Sequence, residues 1–104
     1  MPQSASANRY AQAVFQIAVD RDELDVWSAD LQTLVGALDV EGFALLLDAP
    51  QVPVVHKVEA INRAVGDSVA ALSANLLSLL ASKNLAHLLT DVLDEYSKMI
   101  DFQL

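Results

Sequence analysis

Apolar residues recur along this chain at intervals of three and four, the spacing of one helix face, and nowhere alternate as a half-buried strand requires. The first run, SANRYAQAVFQIAVD (residues 6–20), predicts a helix capped by Ser4 or Ser6 and ending near Asp20. Asp22 then suits the N-cap of a second helix, with Glu23 and Asp25 complementing the positive end of its dipole. Its core line is Leu24, Trp27, Leu31, Leu34 with Val35, and Leu38. A short third helix spans Glu41 to Leu47, stopped by DAPQVP, whose two prolines impose an extended connection. The fourth, Val54 to Val65, sets Val54 or Val55, Val58, Ile61 and Val65 on one side. Gly66 closes it, and Asp67 or Ser68 caps the fifth, Val69 to Ser82. Asn84 falls where a left-handed residue is wanted. A sixth helix, Ala86 to Ile100, carries Leu88, Leu89, Val92, Leu93, Tyr96 and Ile100. The expected fold is all-α, a single-domain bundle of six short helices spanning residues 1–104.

Two of these helices carry more apolar surface than one core uses. In the first, Ile17, Tyr10, Val14, Ala7, Ala18, Ala11 and Phe15 fill an arc of about 160°, and Ala13 and Val19 widen it to roughly 240°, against roughly 100° for a helix with one buried stripe. Ala7, Ala11, Val14, Phe15 and Ala18 suit the core. Tyr10, Ala13 and Ile17, in line with Ser6, form a second stripe beside it. In the fifth helix, Val69, Leu72, Leu76, Leu79 and Leu80 read as the core face. A shallower line of Ala70, Ala74, Leu77 and Ala81 lies on another side, and Asn75, Ser78 and Ser82 form a small polar line beside Leu79. Periodicity alone leaves open which line meets a second partner.

The composition agrees with a folded domain and narrows its chemistry. Of 104 residues 54% are hydrophobic, and six Lys and Arg stand against fourteen Asp and Glu, a net charge of −8. The length suits one core. No basic run exists to neutralise phosphates, which disfavours nucleic acid and anionic membrane surfaces. The absence of cysteine excludes thiol chemistry and cysteine-ligated zinc. The N-terminus has no signal-peptide pattern, and no apolar run approaches the ~20 residues of a membrane span. DRDELD (residues 20–25) lacks the glycine of a calcium loop, and Leu31 stands where its closing glutamate belongs, so capping and solvated charge account for it. His56 and His87 have no ligand or catalytic motif around them. The fourth and fifth helices, joined by GDS, mimic a helix-turn-helix, but the would-be recognition helix offers only Lys83 to DNA.

The order of features is similar to one known family. RYAQAVFQIA, then Trp27, then LLLDAPQVPVVHKVEAI, then NLLSLLASKNLAHLLTDVLDEY resembles the N-terminal domain of the F-type ATP synthase delta subunit, called the oligomycin sensitivity-conferring protein in mitochondria. The resemblance covers about residues 8 to 101. Its most specific part is Asn75, Leu76, Leu77, Leu79 and Leu80 followed by Leu88 and Leu89. Lys83, Asn84, Leu85 and Ala86 stand where the family has Asn-Gly-Arg-Leu, so the family's arginine is absent.

The resemblance implies a non-catalytic, cofactor-free component of the peripheral stalk, holding the catalytic head against rotor torque during proton-driven ATP synthesis. The implied partner is the N-terminal helix of an alpha subunit, lying in a groove between the first and fifth helices. Carried over by position, Tyr10, Ala13, Asn75 and Leu79 line that groove; Ile17, Ser78 and Ser82 join them by periodicity. No catalytic, cofactor or metal residue is implied. Contact with b-type stalk subunits belongs to a C-terminal domain that the expected boundaries leave out. The implied location is peripheral to the plasma membrane on its cytoplasmic side, without insertion. The readings that remain beside it are a generic helical interaction module with another partner and a helix-turn-helix regulator.

Overall fold

Pro2 begins the first helix of the computed structural model, which describes residues 2–103. The helices are α1 (Pro2–Asp20), α2 (Leu24–Leu38), α3 (Phe43–Asp48), α4 (Val54–Val65), α5 (Ala71–Ser82) and α6 (Leu89–Gln103). A 3-10 turn, Ala86–Leu88, leads into α6, and no strand occurs among the described residues. The all-α, six-helix expectation therefore holds, and α4 has the expected bounds.

The helix ends correct the sequence reading in several places. Ser4 and Ser6 lie inside α1 rather than at its N-cap position, because the helix starts upstream of both; proline is suited to a first turn, where its missing N–H would have no intrahelical acceptor. Asp22 does not cap α2. It takes a left-handed φ of 55° and closes α1, its N–H donating to the Val19 carbonyl at 3.2 Å while that of Glu23 reaches Ala18 at 2.7 Å. That paired arrangement satisfies the carbonyls a helix leaves open at its end. Asn84 does the same for α5, as expected: its φ is 60°, and Asn84 and Leu85 donate to Ala81 and Leu80 at 2.9 and 2.8 Å. Gly42, at φ 85°, starts α3 two residues later than anticipated.

Neither Asp67 nor Ser68 caps α5. Its N-terminus is held by Asp30 of α2, whose Oδ2 accepts from the Ala70 N–H at 3.1 Å and the Ser73 hydroxyl at 2.7 Å. The other end of α5 meets Lys57 of α4, which donates from Nζ to the Ala81 carbonyl at 3.0 Å and to Asn84 Oδ1 at 2.7 Å. Asp30 and Lys57 are both buried. A carboxylate at the N-terminus and an ammonium at the C-terminus each match the helix dipole. Asp48, closing α3, repeats the device: its carboxylate accepts the N–H groups of Ala86 and His87 at 2.6 and 3.2 Å and meets His87 Nδ1 at 2.7 Å.

These anchors rotate α5 away from the expected facing. Its buried residues are Ser73, Ala74, Leu77, Leu80 and Ala81, whereas Leu72 and Leu79 are exposed. Of the line assigned to the core, Leu80 is buried and Val69 and Leu76 pack against the core, while Leu72 and Leu79 turn outward, in keeping with Ser73 facing Asp30. α1 packs mainly on α6, α5 mainly on α4, and α2 touches all four. Ala7, Ala11, Val14 and Ala18 of α1 are buried, and such small side chains admit a neighbouring helix at short range. Tyr96 of α6 is fully buried, meets Phe15 edge-on at 6.2 Å, and donates its hydroxyl to the Leu24 carbonyl at 2.6 Å. Burial, with Asp25 nearby, pushes its phenol pKa up to about 12.

Candidate functional site

Since α1 leans on α6 and α5 on α4, the surfaces these two helices turn toward each other are not filled by each other's side chains. A cavity of about 350 Å3 opens there. Tyr10, Ala13, Val14 and Ile17 make the α1 wall; Leu72, Asn75, Leu76 and Leu79 make the α5 wall; Trp27 of α2 lies at the floor. The lining is overwhelmingly apolar. Ala13 is exposed, while Tyr10 and Ile17 are half-buried, so the α1 wall dips at its middle between two larger side chains. A second opening of about 400 Å3, bordered by Ser6, Arg9 and Leu85, shares Tyr10 and Ala13 with the first and extends the groove past the end of α5.

Five of the seven residues singled out from sequence, Tyr10, Ala13, Ile17, Asn75 and Leu79, border this one cavity. Ser78 and Ser82 do not border it; Ser78 is half-buried, and the exposed Ser82 donates its hydroxyl to the Leu79 carbonyl at 2.6 Å. Leu72, Leu76 and Trp27 also border the cavity: Trp27 is in the core as expected and Leu76 packs against that core, while Leu72, expected in the core, is exposed. Leu72 and Leu76 lie one turn from Asn75 and Leu79 on the same helix face, a spacing that could have found them.

α1 is fixed on the side away from the groove. Asn8 Nδ2 donates to Glu95 Oε1 at 2.8 Å, and Lys98 Nζ reaches Glu95 Oε2 at 3.0 Å. These two bonds, that from Asn8 first, hold the Glu95 carboxyl below its ordinary pKa. The histidines are separate: His87 is tied to Asp48, and His56 lies on the exposed α4 surface beside Glu59 and Arg63. Among the described residues no group of three His, Cys, Asp or Glu could hold a metal ion, and no helix is long and apolar enough to cross a membrane.

Fold and groove define the class: a small all-α bundle with an apolar channel left open between two of its helices. The chain belongs to the ATP synthase delta (OSCP) subunit family, whose model matches residues 7–103. It is 31% identical to the ATP synthase subunit delta of Acinetobacter baylyi over 93 residues, 89% of this chain and 52% of that protein. It is 30% identical to that of Chloroherpeton thalassium over 101 residues, 96% of this chain and 55% of the relative. The chain thus spans about half the length of the curated relatives it matches. No solved structure gives a significant match.

Proposed function

We propose that the chain acts in the peripheral stalk of an F-type ATP synthase, where the groove between α1 and α5 receives the amphipathic N-terminal helix of an alpha subunit. The observation that carries this reading is the open apolar channel between two helices whose neighbours leave them unfilled. Such a channel suits a helix that lays its i, i+3, i+4 and i+7 anchors into it. Ala13 leaves room for an incoming side chain, and Tyr10 offers an aromatic surface with a polar tip. Asn75 supplies hydrogen-bonding groups in an otherwise greasy wall.

The role is mechanical rather than chemical. Rotation drags on the catalytic head, so the bond must outlast many turnovers, and slow dissociation is the property that matters. The domain works at the membrane's cytoplasmic face without entering it. Contact with b-type stalk subunits falls to the part of the family's length beyond this domain. Titration with the N-terminal peptide of the cognate alpha subunit, followed by calorimetry and backbone NMR, tests the reading. Saturable binding with shifts concentrated on α1 and α5 is expected. Shifts confined to α3, α4 and α6 would remove the groove from consideration.

A further inference from the structure

The groove is electrically uneven along its length, and this rests on residues its apolar lining does not include. The chain carries only six Lys and Arg residues against a net charge of −8. Arg21 and Lys98 pair with Glu23 and Glu95, Lys57 is buried at the end of α5, and Arg63 lies on α4 beside His56 and Glu59. Arg63, Arg9 and Lys83 form no ion pair or side-chain hydrogen bond among the described residues, and of these three only Arg9, on α1, and Lys83, at the end of α5, belong to the helices that wall the groove.

Both stand at the same end of the groove. Arg9 borders the extension of the channel together with Leu85. Lys83 is the C-cap of α5, one turn beyond Leu79 on its face and two residues before Leu85. Each wall therefore ends in an unpaired cation. At the opposite end, Asp20 and Arg21 both lie one turn beyond Ile17 and are exposed; Arg21 is paired with Glu23 at 3.7 Å, which leaves Asp20, bonded only to the neutral Gln16, as the uncompensated charge there. From Ser6 to Ile17 the α1 wall runs about 16 Å, roughly three helical turns.

We propose that the groove is an oriented receptor: it takes an amphipathic helix of about three turns whose carboxylate-bearing end lies over Arg9 and Lys83, and whose other end lies toward Asp20. Apolar anchors alone fit such a channel in either direction, because a stripe of leucines looks much the same reversed. Charge at the two ends separates the directions, since the wrong one places carboxylate against Asp20 and leaves both cations unmet. An acidic protein thus keeps a local attraction for an acidic group at one place on its surface. This inference rests on the helix-binding reading above and adds the partner's charge order.

The test uses the 104-residue chain, the alpha-subunit N-terminal peptide, and a second peptide with the same apolar anchors in which lysine stands at the positions where the proposed charge order expects carboxylates. Arg9→Glu and Lys83→Glu alter exposed side chains, so circular dichroism should show unchanged helix content. Each is expected to weaken the native peptide roughly 3- to 10-fold at low salt, with the loss shrinking as salt rises. The double variant should bind the lysine peptide better than the native one. A spin label at the acidic end should broaden resonances near Leu85, and one at the other end those near Asp20. Binding that is saturable on α1 and α5 yet indifferent to both reversals would overturn the charge order while leaving the helix-binding reading intact. No binding of either peptide would overturn both. A dimer of the chain that peptide cannot dissociate in sedimentation would give the groove to a second copy and overturn it too.

Discussion

Replacing Asp30 with alanine takes away the carboxylate on which the N-terminus of α5 rests. Two bonds disappear: that from the Ala70 N–H, at 3.1 Å, and that from the Ser73 hydroxyl, at 2.7 Å. The first is partly replaceable, because Ala70 is exposed and water can take the N–H. Loss of an N-cap of this kind costs about 1 kcal/mol. The second is harder to replace, since Ser73 is buried at 1% exposure. A buried donor deprived of a charged acceptor costs roughly 1–3 kcal/mol, less what the hydroxyl recovers by turning to the carbonyl one turn back. The expected loss is about 2–3 kcal/mol, which for a domain of this size lowers the melting temperature by roughly 10–20 °C. Urea unfolding of Asp30→Ala, Ser73→Ala and the double variant measures it directly. The cycle should give a coupling of about 1 kcal/mol between the two residues. Asp30→Asn keeps the shape and an acceptor and should recover part of the loss, lacking the charge that favours a helix N-terminus. A cost for Asp30→Ala below about 0.5 kcal/mol, or strictly additive single changes, would refute the claim that this contact anchors α5.

Three other outcomes follow from the geometry. Ala13→Asp should abolish alpha-peptide binding while leaving helix content and the unfolding midpoint nearly unchanged, because Ala13 is exposed in the groove; an unfolded variant would return Ala13 to the core. Tyr96→Phe should cost about 1 kcal/mol at neutral pH for the lost bond to Leu24. With a folded-state pKa raised to about 12 above an ordinary value of ~10, the Tyr96 phenol contributes fully below about pH 10, and its contribution is lost as pH rises through 12. The gap between wild type and Tyr96→Phe in urea midpoints should therefore narrow over that window, and a constant gap would count against the phenol's role. Asn8→Ala should raise the Glu95 titration midpoint seen by carbon NMR, since the Asn8 bond is the largest cause of its lowering. Because that carboxyl is lowered, its contribution to stability is present above its ordinary pKa and fades as pH falls through the lowered value.

What could be read from the sequence was decided by short-range chemistry. α4 lies between Pro53 and Gly66, and Asn84 turns left-handed where its own backbone requires it. The division of α1 was legible because its apolar arc exceeds what one core needs; Ala7, Ala11, Val14 and Ala18 are buried while Ala13 is not. The three capping contacts were not legible. Asp30, Lys57 and Asp48 act on backbone or side chains 24 to 43 residues away, and helical periodicity places a charged residue outside by default. Misreading them also misread α5, since its rotation is set by what Ser73 reaches. That Trp27, Leu72 and Leu76 also border the groove was hidden for a related reason. Whether an apolar residue ends up in a core or beneath a vacancy depends on whether the next helix closes over it, and that is a property of the assembled bundle.

The two charged anchors of α5 also bear on when the groove comes into being. α1 precedes α5 in the chain, so its stripe of Tyr10, Ala13 and Ile17 is synthesised before the opposing wall. The opposing wall depends on Asp30, 43 residues before its partner Ser73, and on Lys57, 27 residues before Asn84. Contacts across such sequence separations must close long loops before they repay the entropy lost, and so tend to form late. On the proposed reading, a partner helix would meet both walls of the channel only on chains whose folding has finished.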